Sequence, residues 1–356
     1  MTTELDTHPT TTPPRVPVLY RPESAVFWVY VASVVIGSYM LITGNGRVIG
    51  ETVDAQVVLG PVWALFVVAL VWLIFEFDPY RSVRRYPQGL VAGTALGATI
   101  AVSFAIPGNE SLEKVWARYI APDTFAAWSA ALTAPIIEEL AKATCGALIL
   151  VLCASVFNRI SHALLVGMFV GLGFDVIEDL TYAAGSAVDS LNGDVAGASS
   201  EMAGRILSSV PSHWAFAALS TVGVLLLLPS FSQRAELSLA KRVPLALGLF
   251  ASAWFMHFFW DSPLMREHFF LKIAINVAIF LAWAIWLQRY ESRWVSDRIA
   301  ALRHTSTADT EILDSLPNRK LRRALRKQAR RSGGRSAVRE LKRRQRAVLD
   351  EIQASG

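Results

Sequence analysis

Two adjacent glutamates and a lysine, Glu138, Glu139 and Lys142, stand near the start of LTAPIIEELAKATCGALILVLCASVF, residues 132–157, a stretch otherwise apolar enough to cross a bilayer. Each charge costs roughly 2.5–3.5 kcal/mol at the centre of a membrane helix, and less near its ends. Charges kept at such a cost point to chemistry or to compensating partners. Further along, GLGFDVIEDLTYA carries Asp175, Glu178 and Asp179, PSHWAFA carries His213, and MHFFWDSP carries His257 and Asp261. Glu138 and Lys142 are spaced i,i+4 with the acid first, and His257 and Asp261 share that spacing, so each pair falls on one helix face. A carboxylate placed in this way orients an imidazole and fixes which nitrogen is free. Two histidines with two or three carboxylates form a set that could hold Zn²⁺ and a water. Without metal, the same set could activate water directly, with a desolvated glutamate as general base. Glu138 and Glu139 point about 100° apart around a helix. One is expected to face the site and the other to pair with Lys142, which is read as a structural ion-pair partner.

These residues need a scaffold that brings them together. The chain has 356 residues, 53% of them hydrophobic, with a mean hydropathy of +0.39. That composition excludes an ordinary soluble domain and predicts an all-α, polytopic membrane bundle. Eight spans are expected, at 25–43, 57–77, 88–107, 134–157, 163–184, 208–229, 243–262 and 269–288. The mixed stretch 108–133 is expected to hold a short interfacial helix, with Trp116 and Trp128 at headgroup level. The loops 78–87 (Arg81, Arg84, Arg85), 158–162 (Arg159) and 230–242 (Arg234, Lys241, Arg242) are basic. The opposite loop 185–207 holds Asp189, Asp194 and Glu201 against Arg205. This bias predicts N-in and C-in. Under that topology the acids and imidazoles of the fourth, fifth, sixth and seventh spans share one depth, in the extracytoplasmic half. Gly93/Gly97 and Gly167/Gly171 have the small-residue spacing of tightly packed membrane helices.

The tails differ in kind. Residues 1–24, rich in Thr and Pro, read as a disordered cytoplasmic tail, with no cleavable signal peptide. Residues 25–288 read as the membrane domain, with its motifs within 135–262. Of 34 Lys and Arg, 18 lie from Arg289 onward, so 289–356 reads as a basic, solvated cytoplasmic tail touching anionic lipid. Charge alone would also suit nucleic acid, but the juxtamembrane position favours lipid. The two cysteines, Cys145 and Cys153, lie about 12 Å apart along one helix and cannot pair.

The motifs resemble those of the PrsW family of intramembrane proteases, itself related to the type II CAAX prenyl endopeptidases. EELAK (Glu138, Glu139, Lys142) is similar to the family's EExxK, FDVIED (Phe174, Glu178, Asp179) to FxxxEN, HWAFA (His213) to its single-histidine motif, and HFFWD (His257, Asp261) to HxxxD. Asp179 stands where the family has Asn. The resemblance implies a multi-pass peptidase of the bacterial plasma membrane. It would cleave membrane-anchored proteins at the extracytoplasmic side, in some cases an anti-sigma factor. The expected site is Glu138 or Glu139 as general base, with His213, His257 and Glu178 binding metal or stabilising the oxyanion and Asp261 orienting His257. Other intramembrane protease signatures are missing: there is no HExxH and no GxSG, and GLGFD places its Asp one residue late for GxGD. The rival readings are a proton-coupled transporter, which would hold such groups nearer the midplane, and a catalytically inactive scaffold or immunity protein.

Overall fold

The computed structural model of the protein describes residues 18–303 and 309–354, so most of the expected disordered segment 1–24 lies outside the described residues. All the regular elements described are helices. α1 (Ala25–Glu51) and α2 (Val53–Glu76) form a hairpin joined at Thr52. α3 (Pro87–Leu96) continues through a π-helical turn, Gly97–Ala101, into α4 (Val102–Trp116). Then come α5 (Pro122–Leu152), α6 (Ile160–Asp189), α7 (Asp194–Ser208), α8 (His213–Leu227), α9 (Leu239–Asp261) and α10 (Phe269–Leu302). The short α11 (Thr310–Ser315) and α12 (Arg319–Ala354), broken at Gly333 and Gly334, close the chain.

The layering follows from hydropathy. α6 is apolar all round, as a central helix must be, and every residue from Ile160 to Asp175 is buried. α8 packs along it. Their backbones meet because α6 carries glycine there: a Cβ on Gly171 would lie 2.3 Å from His213 O, and one on Gly167 would lie 2.3 Å from Ala217 O. α1 and α2 are peripheral and turn Val35, Val57, Leu65 and Trp72 outward, which suits helices facing lipid.

Among the described residues, six runs are long and apolar enough to cross a membrane: α1, α2, α3–α4, α6, α9 and α10 with the turn before it. α7 and α8, bent by 45°, pass together as a seventh. Two expectations change. The stretch 108–133 forms no helix of its own. α4 runs on to Trp116 and α5 begins at Pro122, where a proline suits the first helical turn. Trp116 Nε1 donates to Leu132 O at 3.3 Å and ties the two helices together. The sixth span is not a continuous helix over 208–229. Pro211 and the extended Ser212 interrupt the chain, and α8 is only 15 residues, about 22 Å.

The C-terminal tail also departs from a freely solvated segment. Val348, Leu349 and Ile352 of α12 are buried with Ile312, Leu313, Val295, Ile299 and Tyr80 in a second small core. Arg81 grips Asp350 through two bonds, Nε–Oδ1 at 2.7 Å and Nη2–Oδ2 at 3.2 Å. Buried Arg159 donates to Glu291 at 2.7 Å and to Gln353 at 2.5 Å and stacks on Trp294. The reason is local composition: the last turns of α12 carry an apolar row that the arginines before it obscure. Beside this core, burial pushes the Asp78 carboxyl up, against the Ser82 N–H and hydroxyl that bond it.

Candidate active site

α5 supplies the centre of the site. Lys142 is wholly buried, and its ammonium lies 2.7 Å from Glu139 Oε1, 3.6 Å from Glu138 Oε2 and 4.4 Å above the Phe174 ring. It also donates to His213 Nδ1 at 2.6 Å. A buried charge is tolerable only when paired and hydrogen-bonded, and Lys142 meets both conditions. Glu139 Oε1 accepts a second bond, from His257 Nδ1 at 2.9 Å. Glu139 thus faces Lys142 and the back of His257, whereas Glu138 lines the cleft.

α9 presents His257 from its last turns. Its ring stacks on Phe216 at 5.3 Å and stands edge-on to His213 at 4.9 Å. Its Nε2 edge faces Asp261 Oδ2 at 3.2 Å and Glu138 Oε2 at 3.8 Å. α10 fixes this end of α9: Lys272 donates to the terminal carbonyls of Trp260 (2.7 Å) and Ser262 (2.8 Å), and Asn276 to Met256 O (3.0 Å). A lysine is well suited to the orphan carbonyls and negative pole of a helix C-terminus.

His213 opens α8. Asp175 Oδ2 holds that terminus by accepting from Ser212 Oγ (3.0 Å) and Trp214 N (3.2 Å). His213 Nε2 donates to Glu178 Oε2 at 3.0 Å, so with Lys142 donating to Nδ1 both ring nitrogens are held. Glu178 also accepts from Arg205 Nη1 of α7 at 3.0 Å. Arg205 bridges Asp179 (3.3 Å) and Glu201 (3.0 Å) too, and lies over the Tyr182 ring. The groups expected together on four helices therefore converge: His213 meets Glu178 at 3.0 Å, His257 meets Glu139 at 2.9 Å, and Glu138 Oε2 lies 3.6 and 3.8 Å from the two imidazoles. A cleft of about 780 Å³ opens onto them, lined by Glu138, Glu178, His213, His257 and Asp261 among others.

Residues 86–287 match the family described as PrsW family intramembrane metalloprotease. The chain belongs to the PrsW family. It is a membrane endopeptidase, and the matched region runs from just before α3 into α10, spanning every site residue named above. Comparison with curated proteins and with solved structures gives no match.

The PrsW description implies a metal, and the residues present fit one. Among the described residues, Glu138, His213 and His257 offer ligand atoms all within 4.8 Å of one another. Glu138 Oε2 is buried without a hydrogen bond and faces both imidazoles. One carboxylate oxygen and two imidazole nitrogens form a donor set suited to zinc and similar divalent metals. Glu178, expected beside the two histidines as a ligand, stands instead on the far edge of the His213 ring, against Arg205. Asp261, expected to orient His257, lies 3.2 Å from its Nε2 on the cleft side, and Glu139 holds the other nitrogen, Nδ1.

Three contributors were not legible as site residues. Arg205 registers in the sequence only as the lone basic residue of an acidic loop. Asn109, which donates to Glu138 Oε1 at 3.0 Å, lies in a stretch that reads as interfacial. Lys272 gives a signal of its own, a charge in an apolar span, but nothing in the sequence names its partner.

Proposed function

We propose that this PrsW-family chain hydrolyses peptide bonds of membrane-anchored proteins at a Glu138–His213–His257 centre on the extracytoplasmic side. The supporting observation is the cluster itself: three convergent ligand atoms, with Glu138 facing a cleft that could admit a polypeptide. A bound divalent ion, Zn²⁺ being our choice, would polarise the scissile carbonyl and acidify a water. Glu138, His213 and His257 would hold it.

The surrounding residues set protons and orientation. Glu139 takes the Nδ1–H of His257 and leaves Nε2 for the centre. Glu178 takes the Nε2–H of His213, so that Nδ1 keeps its lone pair on the side of Glu138. Lys142 donates to that lone pair and balances both glutamates. Were His213 Nδ1 engaged at the centre instead, the Lys142 ammonium would keep its partner Glu139, 2.7 Å away. Asp261, at the cleft beside Nε2, is placed to accept a proton from an attacking water. In a reaction without metal, Glu138 is the base, because it and not Glu139 faces the cleft.

Around this core the chain is read as crossing the bacterial plasma membrane eight times, with α5 and the bent α7–α8 pair counted as spans and both termini inside. Residues 1–24 form an N-terminal tail, 25–288 the protease-like domain and 289–356 the basic tail. Exposed residues such as Lys327, Arg330, Arg331 and Arg335 would meet anionic lipid. Regulated proteolysis, such as cleavage of an anti-sigma factor, is the biological setting we favour. The test is cleavage of a membrane-anchored reporter by the purified protein in liposomes, with metal analysis. Glu138→Ala and His257→Ala should each lower cleavage by about 10² or more. Undiminished cleavage by both would overturn the proposal.

A further inference from the structure

Besides Glu138 Oε2, two polar atoms on the cleft wall have no hydrogen bond among the described residues. Thr133 is 0% exposed, and its hydroxyl makes no hydrogen bond. A helical threonine ordinarily bonds the carbonyl four residues back, as Thr144 does to Leu140 O at 2.8 Å and Thr181 to Ile177 O at 2.9 Å. Thr133 does not. The second atom is Asn109 Oδ1, buried and unpaired while Nδ2 donates to Glu138 Oε1. Turning that amide over would set its oxygen against a carboxylate, so the acceptor belongs to the cleft. Buried polar groups are costly to leave unmade, and here two of them stand beside the candidate centre.

Both lie along rows that face the cleft. α4 contributes Ala105, Asn109 and Glu113, and α5 contributes Ala130, Ala134 and Glu138, each at i,i+4 spacing along one side of its helix, with Thr133 beside Ala130 on α5. From Glu138 to Ala130 the α5 row covers about 12 Å, the length of roughly four residues of extended chain. Small side chains at Ala105, Ala130 and Ala134 leave room for a main chain to lie against the helices. A helical substrate has all its backbone groups satisfied. To be cut it must unwind, and each freed N–H and C=O then needs a partner in a cleft with little water.

We propose that Asn109 and Thr133 form a backbone-recognition subsite for an extended segment of the polypeptide substrate. Asn109 Oδ1 accepts an amide N–H, and Thr133 Oγ1 donates to a carbonyl. Recognition of main chain rather than side chains lets the site take segments of varied sequence. Because Asn109 also donates to Glu138, a seated substrate would steady the carboxylate that faces it. This inference rests on the peptidase reading of the cleft.

Thr133→Val keeps the shape and removes the hydroxyl, and Thr133→Ser keeps the hydroxyl. In the full-length protein in liposomes, with the membrane-anchored reporter, Thr133→Val should raise KM about tenfold with kcat within about twofold, and Thr133→Ser should restore KM. In a Glu138→Gln background, photo-crosslinking of the reporter should fall with Thr133→Val and with Asn109→Ala. Wild-type cleavage with KM and crosslinking unmoved by Thr133→Val would overturn the subsite and leave the peptidase standing. A kcat loss that Thr133→Ser does not rescue would mark a packing role and also overturn it. A wild type that cleaves nothing would overturn the peptidase reading, and the subsite with it.

Discussion

Glu138 and Glu139 are one peptide bond apart and face opposite sides of the same problem. Each keeps its Oε2 without a hydrogen bond, but Glu139 Oε1 is held by Lys142 and His257, while Glu138 Oε2 stands beside two imidazoles at the cleft. The consequence is a split between two isosteric changes. Glu138→Gln should remove bound metal and cleavage together. Glu139→Gln should weaken metal affinity about 10–100-fold, as loss of a group that orients a ligand does, while saturating metal restores much of the cleavage. Metal content and reporter cleavage at graded metal concentration decide between them, and the reverse pattern would exchange the two roles. The pair was legible in the sequence as charges at a cost, and the 100° offset required that they differ. Which one faces the cleft was not legible, because that depends on the rotation of α5 against α8 and α9. Hydropathy sets the depth of a residue in a bundle but not the rotation of its helix.

At the scale of elements, contact between α6 and α8 sets the site. His213 can reach Lys142 and Glu178 only because α8 lies against a glycine face. Gly171→Val would drive a side chain into the His213 carbonyl, and overpacking of that kind costs about 1–3 kcal/mol or more. The change should lower thermal stability and cleavage together. Gly60→Ala in α2, where a Cβ meets nothing within 4 Å, should stay within about 1 kcal/mol of wild type. Equal behaviour of the two variants in a melting assay would refute the packing argument. α7 raises a different question, since the expected loop 185–207 folds as a helix across the cleft wall and delivers Arg205 to Glu178, Asp179 and Glu201. Its partly exposed side chain discounts the energy of these pairs. Its fork, which bridges three carboxylates, is the part a lysine cannot copy. Arg205→Met should loosen α7, seen as faster amide exchange over 194–208, and lower cleavage about tenfold, with Arg205→Lys in between. Unchanged exchange would sink this role. The sequence placed four acid- and imidazole-bearing helices at one depth, yet hid α7, whose mixed, small-residue composition lacks the apolar run of a span.

Across the whole molecule, the site and the tail occupy opposite ends of the bundle, joined by α6 and α10. α6 starts just after Arg159, which holds the tail, and carries Glu178 at the cleft. The tail was the least legible part of the chain. Its basic composition describes the exposed surface of α12 and conceals Val348, Leu349 and Ile352, the three residues that dock it. Their burial, at about 1.5–3 kcal/mol for each large side chain, is what the exposed arginines cannot supply, since surface ion pairs contribute about 0–1 kcal/mol each. Docking should therefore depend on apolar contact and resist salt. Ile352→Ala should weaken it by about 2–4 kcal/mol, enough to raise amide exchange across α11 and the last turns of α12 by one to three orders of magnitude. Raising salt from about 0.05 to 1 M should change that exchange far less, although it screens Arg81–Asp350. If salt releases the segment and Ile352→Ala does not, electrostatics hold the tail and the second core is incidental.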